Sequence, residues 1–515
     1  MLLIPPIVSL LLLPGASALQ IPFLSRSSSS TSFPTSSSSS HLSSSSSATP
    51  DDTVLTLRHA LHLPVADPHR AASRRDYSPT DLASVSSSFR YPFAHSGLRS
   101  QRLKVQRPTS QVVYQAARRA SYFTPLRAFQ HGRLPTREEL EDQALAGTLE
   151  WEEVEIDAPD TRDVGTLAAL GKMTSNAYSV PDSSGWFDMG EDGWNLTDSF
   201  GWKEDGLRGH VFADPQNKTV VVSIKGTSAF IVGGGSGTAK NDKTNDNLLF
   251  SCCCARVDWS WSTVCDCYDG GYSCKEDCVE HAVITKSAYY PVATNLFNNI
   301  SAIYPHSQIW LVGHSLGGGL AAMLSRTYGV PAVAFESPGD LLPAQRLHLP
   351  LPPVNNPNST HPPPPKRNIE DELTTHIFHT ADPIPMGVCT GAISTCAIAG
   401  FALESRCHTG KTILYDTVGR LGWSVDVRTH PIHVIIEQLL KEDWGVKPKS
   451  LVQTATKWAA GKKVGRLGWW PGKGKKGDDD DDGGEEDDGQ NGGRGVPEPV
   501  FEDEDCTDCM RWSYT

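Results

Sequence analysis

At 515 residues the chain has room for about three domains. Sixteen serines between residues 25 and 47, and an acidic, glycine-rich run from Asp478, cannot bury enough apolar surface to offset their chain entropy, so one large α/β domain is expected. The net charge of −13 lies wholly in the 15 acids and 2 bases from residue 478 onward; the body carries 44 of each sign, without the basic excess of a nucleic-acid-binding protein, and its 38% apolar content excludes a polytopic membrane protein.

Residues 1–24 are apolar or small, with no ionisable side chain before Arg26. They predict entry into the secretory route, either as a signal peptide cleaved at Ala16-Ser17-Ala18 or as an uncleaved signal-anchor, for which about 20 residues suffice. Pro5, Pro6 and Pro14 weaken an ideal helix and a basic n-region is missing, so both readings stand. Residues 25–50 form a Ser-rich linker, and residues 51–164, broken by Pro64, Pro68, Pro79 and Pro92, read as a lumenal region without a clear pattern. Sequons at Asn195, Asn217, Asn299 and Asn358 are expected glycosylation sites. Of twelve cysteines, seven lie in 252–278, three at Cys389, Cys396 and Cys407, and two at Cys506 and Cys509. In an oxidising lumen they read as disulfides; the dense cluster lacks the regular Cys-x-x-Cys pairs of a zinc site.

Regular structure begins near residue 165, and 165–445 is the expected catalytic domain. Leu167–Tyr178 predicts a helix and Thr219–Lys225 a strand ending at Gly226. A Gly-rich stretch at 233–237 leads into the cysteine cluster, and 275–303 predicts one helix kinked at Pro291. Gln308–Gly313 reads as a strand, Leu316–Tyr328 as a helix, and Val330–Glu336 and Thr375–His379 as further strands. Pro352–Pro365 is a surface insertion, a helix starts near Val434, and 446–515 holds a basic-aromatic segment and the acidic tail, expected to be disordered. Strands alternating with helices predict a mostly parallel central sheet.

Gly313-His314-Ser315-Leu316-Gly317 is a G-x-S-x-G motif between an apolar strand and a helix, the setting in which a tight turn exposes a nucleophilic serine. A hydroxyl nucleophile needs a base, and the base an orienting acid, following in the order Ser, Asp, His on this architecture. Asp382, directly after a strand in His379-Thr-Ala-Asp-Pro-Ile-Pro385, is the candidate acid; Asp340, in Ser337-Pro-Gly-Asp340, reads as a turn residue. His430 and His433 compete for the base. His430 precedes Pro431, which predicts an extended, loop-borne residue whose ring can reach the serine, so it is preferred. Backbone N–H groups of Leu316 and Thr227 are the expected oxyanion donors, and no metal or cofactor is called for.

The runs Lys225-Gly-Thr, Gly-His-Ser-Leu-Gly-Gly, Phe335-Glu-Ser-Pro and His-Thr-Ala-Asp-Pro-Ile-Pro together resemble the class 3 lipase family of α/β-hydrolases over about residues 165–440. The Cys-rich insert, Asp426-Val-Arg-Thr-His430 and Cys506-Thr-Asp-Cys509-Met-Arg-Trp512 are similar to its fungal autophagy-related vacuolar branch. The resemblance implies a serine lipase or phospholipase that lyses autophagic bodies and multivesicular-body vesicles, with Ser315, Asp382, His430 and Thr227 in the roles above. It also implies a single-pass type II protein with a lumenal catalytic domain, passing through the multivesicular body, endosome and prevacuolar membrane to the vacuole. A secreted esterase cleaved at Ala18 and a non-catalytic lipid-binding tether are the alternatives.

Two further expectations concern the flanks. The insert, roughly Ala229–Glu280, occupies a lid position, and its odd cysteine count predicts a bridge to the 389–407 loop if those ten pair among themselves. Residues 457–476, with seven Lys or Arg, no acid and three tryptophans, suit an anionic, phosphoinositide-bearing membrane; the rival reading is a solvated linker. Membrane phospholipids and triacylglycerol are the expected partners.

Overall fold

The computed structural model describes residues 56–63, 73–76, 98–109, 151–179, 206–214, 216–227, 238–256, 262–351, 367–390, 394–444, 495–502 and 506–515. In chain order these form β1 (Thr56–Leu63), β2 (Ser73–Asp76), β3 (Ser100–Pro108), β4 (Trp151–Pro159), α1 (Val164–Asn176), β5 (Leu207–Ala213), β6 (Thr219–Ile224), α2 (Thr238–Phe250), β7 (Ser273–Cys274), α3 (Glu276–Lys286) and α4 (Tyr289–Ile303). They continue with β8 (Gln308–His314), α5 (Leu316–Tyr328), β9 (Ala332–Phe335), α6 (Leu341–Arg346), β10 (Thr374–His379), α7 (Thr395–Ala399), β11 (Lys411–Tyr415), α8 (Thr417–Leu421), α9 (Ile432–Glu437), β12 (Val500–Phe501) and β13 (Ser513–Tyr514).

Nine strands make one mixed sheet in the order β12-β11-β10-β9-β8-β6-β5-β1-β2. The five from β6 to β11 in this order are parallel, and antiparallel pairings flank them on both sides. Their composition explains the placement. Val220–Val222 and Trp310–Val312 are β-branched or bulky, alternate between two buried faces, and so need covering layers on both sides. On one face α5, α4 and the cysteine-rich insert enclose the larger core; on the other, α1 and α9 pack over Phe212, Val221, Trp310 and Phe335.

Three local expectations are corrected. The span 275–303 is two helices, not one kinked helix. The break falls at Ser287–Ala288 because the Pro291 ring would clash with the carbonyl four residues earlier, while Pro291 itself sits in the first turn of α4, where no N–H is missed. The insert sends no bridge to the 389–407 loop: Cys253–Cys274, Cys254–Cys265 and Cys267–Cys278 close within it, and Cys389–Cys396 closes within the loop. The C-terminal pair takes the odd cysteine of each segment, through Cys252–Cys509 and Cys407–Cys506. The third correction is the membrane-spanning anchor and the single-pass localisation drawn from it, since no helix among the described residues is long and apolar enough to cross a membrane.

Residues 1–24, the serine tract, Asn195, Asn358 and the basic-aromatic segment at 457–476 lie outside the described residues. Asn217, in the β5–β6 turn, and Asn299, on α4, are both exposed.

Candidate active site

The parallel strands end side by side, and each chain segment leaving a C-terminal end carries one chemically distinct group: 225–227 after β6, Ser315 after β8, Glu336 after β9 and Asp382 after β10. Ligand sites of α/β sheets form at this edge.

Ser315 sits between β8 and α5 with φ 57° and ψ −130°, a left-handed conformation that a sharp strand-to-helix turn imposes on a residue with a side chain. The turn closes only because its flanks are glycines: a Cβ on Gly313 would lie 2.2 Å from the Gly317 carbonyl oxygen, and one on Gly317 equally close to that of Ile224. The Ser315 N–H donates to the Phe335 carbonyl at 3.0 Å, tying the turn to β9. A Cβ on Gly226 would lie 3.2 Å from the Ser315 Cβ, so the 225–227 loop runs directly beside the serine.

Asp382 and His430 meet. Nδ1 of His430 donates to Asp382 Oδ2 at 2.6 Å, and Oδ1 accepts the Ile384 N–H at 3.0 Å. The two loops are clipped together by the Asp426 N–H to the Ala381 carbonyl at 3.0 Å and the Thr429 hydroxyl to the same oxygen at 3.1 Å. Burial alone would raise Asp382, but the charge and hydrogen bond of His430, with a further hydrogen bond from Glu336, hold it below the usual carboxylate range. Ser315, Asp382 and His430 are all buried, whereas His433 projects from α9 as an exposed side chain.

One premise for choosing His430 is overturned. It is not extended: with φ −64° and ψ −32° it closes the 3-10 turn Val427–Thr429, its N–H bonded to the Val427 carbonyl at 3.1 Å. The bias that proline places on its predecessor is outweighed by that turn and by the clips to Ala381.

Several neighbours carry no obvious signal in the sequence. Nε2 of His314 donates to the His430 carbonyl at 2.9 Å, and its Nδ1 accepts from the Tyr178 hydroxyl at 2.8 Å. Burial, and next the adjacent His430, push His314 down to about 3, so it stays neutral. Thr227 Oγ1 donates to Asp246 Oδ2 of α2 at 2.6 Å. Asp340, expected as a turn residue, is buried and accepts from the Thr409 N–H at 2.9 Å and its hydroxyl at 2.6 Å.

A family model for Tle-like phospholipase domains, described as phospholipase-like, matches residues 273–345. Among solved structures, the Lip2 lipase from Yarrowia lipolytica is 16% identical with a TM-score of 0.25, covering 50% of this chain and 80% of that one. Curated relatives are far nearer. A protein of Mycosarcoma maydis named putative lipase ATG15 is 47% identical over 376 residues, 72% of this chain and 70% of its own length. The putative lipase ATG15 of Cryptococcus neoformans var. neoformans serotype D is 50% identical over 382 residues, 71% of this chain and 70% of its own. Identity of that degree over most of both chains shows that this protein belongs to the ATG15 lipase family.

Proposed function

We propose that Ser315, His430 and Asp382 are the triad through which this serine-type lipase cleaves carboxylic esters of membrane lipids. The observation that carries the reading is the 2.6 Å bond from His430 Nδ1 to a buried Asp382, on a loop at the same sheet edge as the Ser315 turn. With Nδ1 donating, the neutral ring offers Nε2 as acceptor. Ser315 Oγ attacks the ester carbonyl and passes its proton to Nε2; the N–H groups of Leu316 and Thr227 receive the oxyanion. The imidazolium then returns the proton to the leaving alcohol, and water, deprotonated by the same ring, frees the acyl group as a carboxylic acid. Asp382 keeps the ring in its working tautomer and offsets the charge it gains.

The bonds cut are those of phospholipids and triacylglycerol in the membranes of autophagic bodies. Residues 457–476 are the segment we assign to anionic, phosphoinositide-bearing surfaces, within a catalytic domain and tail divided at about residue 445. Asn217 and Asn299, being exposed, suit glycan attachment.

Hydrolysis of a short-chain soluble ester by purified variants of matched folding tests the triad. Ser315→Ala and His430→Ala are each expected to abolish turnover, since triad members act as a unit, and Asp382→Asn to reduce it by about 10⁴-fold. His433→Ala keeps most activity. A dead His433→Ala beside an active His430→Ala reassigns the base, and full activity in Ser315→Ala sinks the mechanism.

A further inference from the structure

A second acid stands behind the triad. Glu336 is fully buried and takes φ 44°, a left-handed conformation rare for a residue with a side chain, at the point where the chain leaves β9. Such strain persists only where its surroundings compel it, and it gathers at functional sites.

The groups facing Glu336 are Asp382 and His379, with His430 beyond Asp382. His379 cannot serve it as a cation or a full donor. The Ala381 N–H donates to His379 Nδ1 at 3.2 Å, so the ring hydrogen is on Nε2, which donates to the Thr429 carbonyl at 3.2 Å and lies 3.5 Å from Glu336 Oε1. The His379 backbone amide approaches without reaching hydrogen-bond geometry, and as a carboxylate Glu336 has neither oxygen hydrogen-bonded among the described residues. No Lys or Arg among those residues pairs with it. Ionised, Glu336 would set a second negative charge beside ionised Asp382, in a buried site where water screens little of their repulsion. A proton removes that charge and makes one oxygen a donor. Burial first, and then the charge of Asp382, accordingly push the Glu336 carboxyl well above its usual range.

We propose that Glu336 is a positioning residue of the triad, a carboxylic acid held protonated that donates a hydrogen bond to Asp382. With the Ile384 N–H on Oδ1 at 3.0 Å and His430 Nδ1–H on Oδ2 at 2.6 Å, Asp382 then has three donors that fix the plane of its carboxylate, and through it the aim of the imidazole. The device favours acidic conditions. As pH rises through the Glu336 titration, the donor is lost and a like charge appears next to Asp382. The same linkage acts on stability: a carboxyl raised in the folded state contributes fully below its unfolded value and loses that contribution as pH rises through its folded value.

The inference rests on the triad reading. Its test is the pH profile of kcat and KM for a short-chain p-nitrophenyl ester with full-length wild type, Glu336→Ala and Glu336→Gln. Alanine keeps the Cβ, and hence the backbone strain, but removes the donor; glutamine restores an N–H donor that cannot ionise. Glu336→Ala is expected to lower kcat about tenfold to a hundredfold with little change in KM. Glu336→Gln recovers most of that loss in acid and lacks the decline that wild type shows as pH rises. Infrared spectra give a readout apart from activity, and one that survives a misfolded alanine variant. Wild type at neutral pH should show the carbonyl stretch of buried carboxylic acids, with Asp246 as a second contributor, and the wild-type-minus-Glu336→Gln difference spectrum should isolate the Glu336 band. Wild-type kcat and pH profile in Glu336→Ala, or a wild-type-minus-Glu336→Gln difference spectrum without a carboxylic-acid band, overturns the proposal. Activity in Ser315→Ala would instead bring down the triad reading beneath it.

Discussion

His430 is held at two points, and only one of them is the carboxylate. Asp382 fixes the ring, while the chain from Tyr178 through His314 to the His430 carbonyl fixes the backbone that carries it. The serine motif therefore carries a second contact: His314, the residue before Ser315, braces the backbone of His430. Tyr178→Phe removes the hydroxyl that His314 Nδ1 accepts from and leaves that buried nitrogen without a protein donor. An unsatisfied buried group costs about 1–3 kcal/mol, so a lower melting temperature is expected, together with a several-fold fall in kcat as the His430 backbone loosens. Thermal melts and ester kinetics on the same preparation check both. An unchanged kcat beside a lowered melting temperature would make the chain structural only. Tyr178 ends a helix in sequence, with nothing to say that its hydroxyl reaches the motif 136 residues later.

At the scale of elements, α2 is the part of the site least visible beforehand. Its sequence, Thr-Ala-Lys-Asn-Asp-Lys-Thr-Asn-Asp-Asn-Leu-Leu-Phe, has an apolar end but no apolar stripe, and helix periodicity is read from such stripes. It is held largely by polar side chains on neighbouring backbone. Asn245 Oδ1 accepts from the Ala288 and Tyr289 N–H groups at 2.9 and 3.2 Å, Asn247 bonds the Gly400 carbonyl and the Ala402 N–H at 3.0 and 2.8 Å, and Asp242 accepts from the Tyr289 hydroxyl. Phe250, at its end, packs against Gly319 of α5. The lid position is thus occupied at its base by a helix bonded into the domain, and Asp246 on that helix pins Thr227. Asp246→Ala should free the Thr227 hydroxyl and misplace the adjoining N–H, lowering kcat about tenfold or more, with Asp246→Asn milder because it still accepts a hydrogen bond. Kinetics with a soluble ester, which needs no interface, would show it. Wild-type kcat in Asp246→Ala would mean that Thr227 is placed by its strand alone.

Over the whole molecule, the C-terminal segment is tied to the rest of the domain at several points. β12 pairs with β11, β13 pairs with β7, and the disulfides Cys407–Cys506 and Cys252–Cys509 join the C-terminal segment to the loop before β11 and to the insert. His408 Nδ1 bonds Glu502 at 2.7 Å, and Asp508 Oδ1 accepts the Arg406 and Cys407 N–H groups at 2.8 and 3.2 Å. The strap therefore links the insert to the loop beyond Asp382 indirectly, through Cys252–Cys509 and Cys407–Cys506. Bridges spanning 99 and 257 residues restrict the unfolded chain far more than Cys389–Cys396, which spans 7. Replacing Cys407 and Cys506 together by serine should cost about 2–4 kcal/mol, and replacing Cys389 and Cys396 distinctly less, by denaturant unfolding without reductant. Equal losses would show that local contacts, not chain closure, set the stability.

Local rules were enough for the fold class, the Ser315 turn, Asp382 directly after a strand, and the helix Leu316–Tyr328. Each of these rests on neighbours in sequence: a strand, small residues about a serine, a helix, a strand followed by Asp-Pro. Extended runs such as 219–224 and 374–379 were legible because both their faces are buried and their composition says so. Pairings between distant segments were not. Which cysteines join depends on where the last ten residues dock, and parity cannot tell a direct bridge from one routed through the C-terminal segment. The conformation of His430 depends on the hydrogen bonds that tie its turn to Ala381, which override the local effect of Pro431. Glu336 is one acid among 59 in sequence; it becomes a partner of Asp382 only when β9 and β10 lie side by side and shut water out from both carboxyls. Identity and chain order determined what chemistry was available, and tertiary burial alone decided which groups meet, because the cost of a buried charge or an unmade hydrogen bond depends on what the fold places next to it.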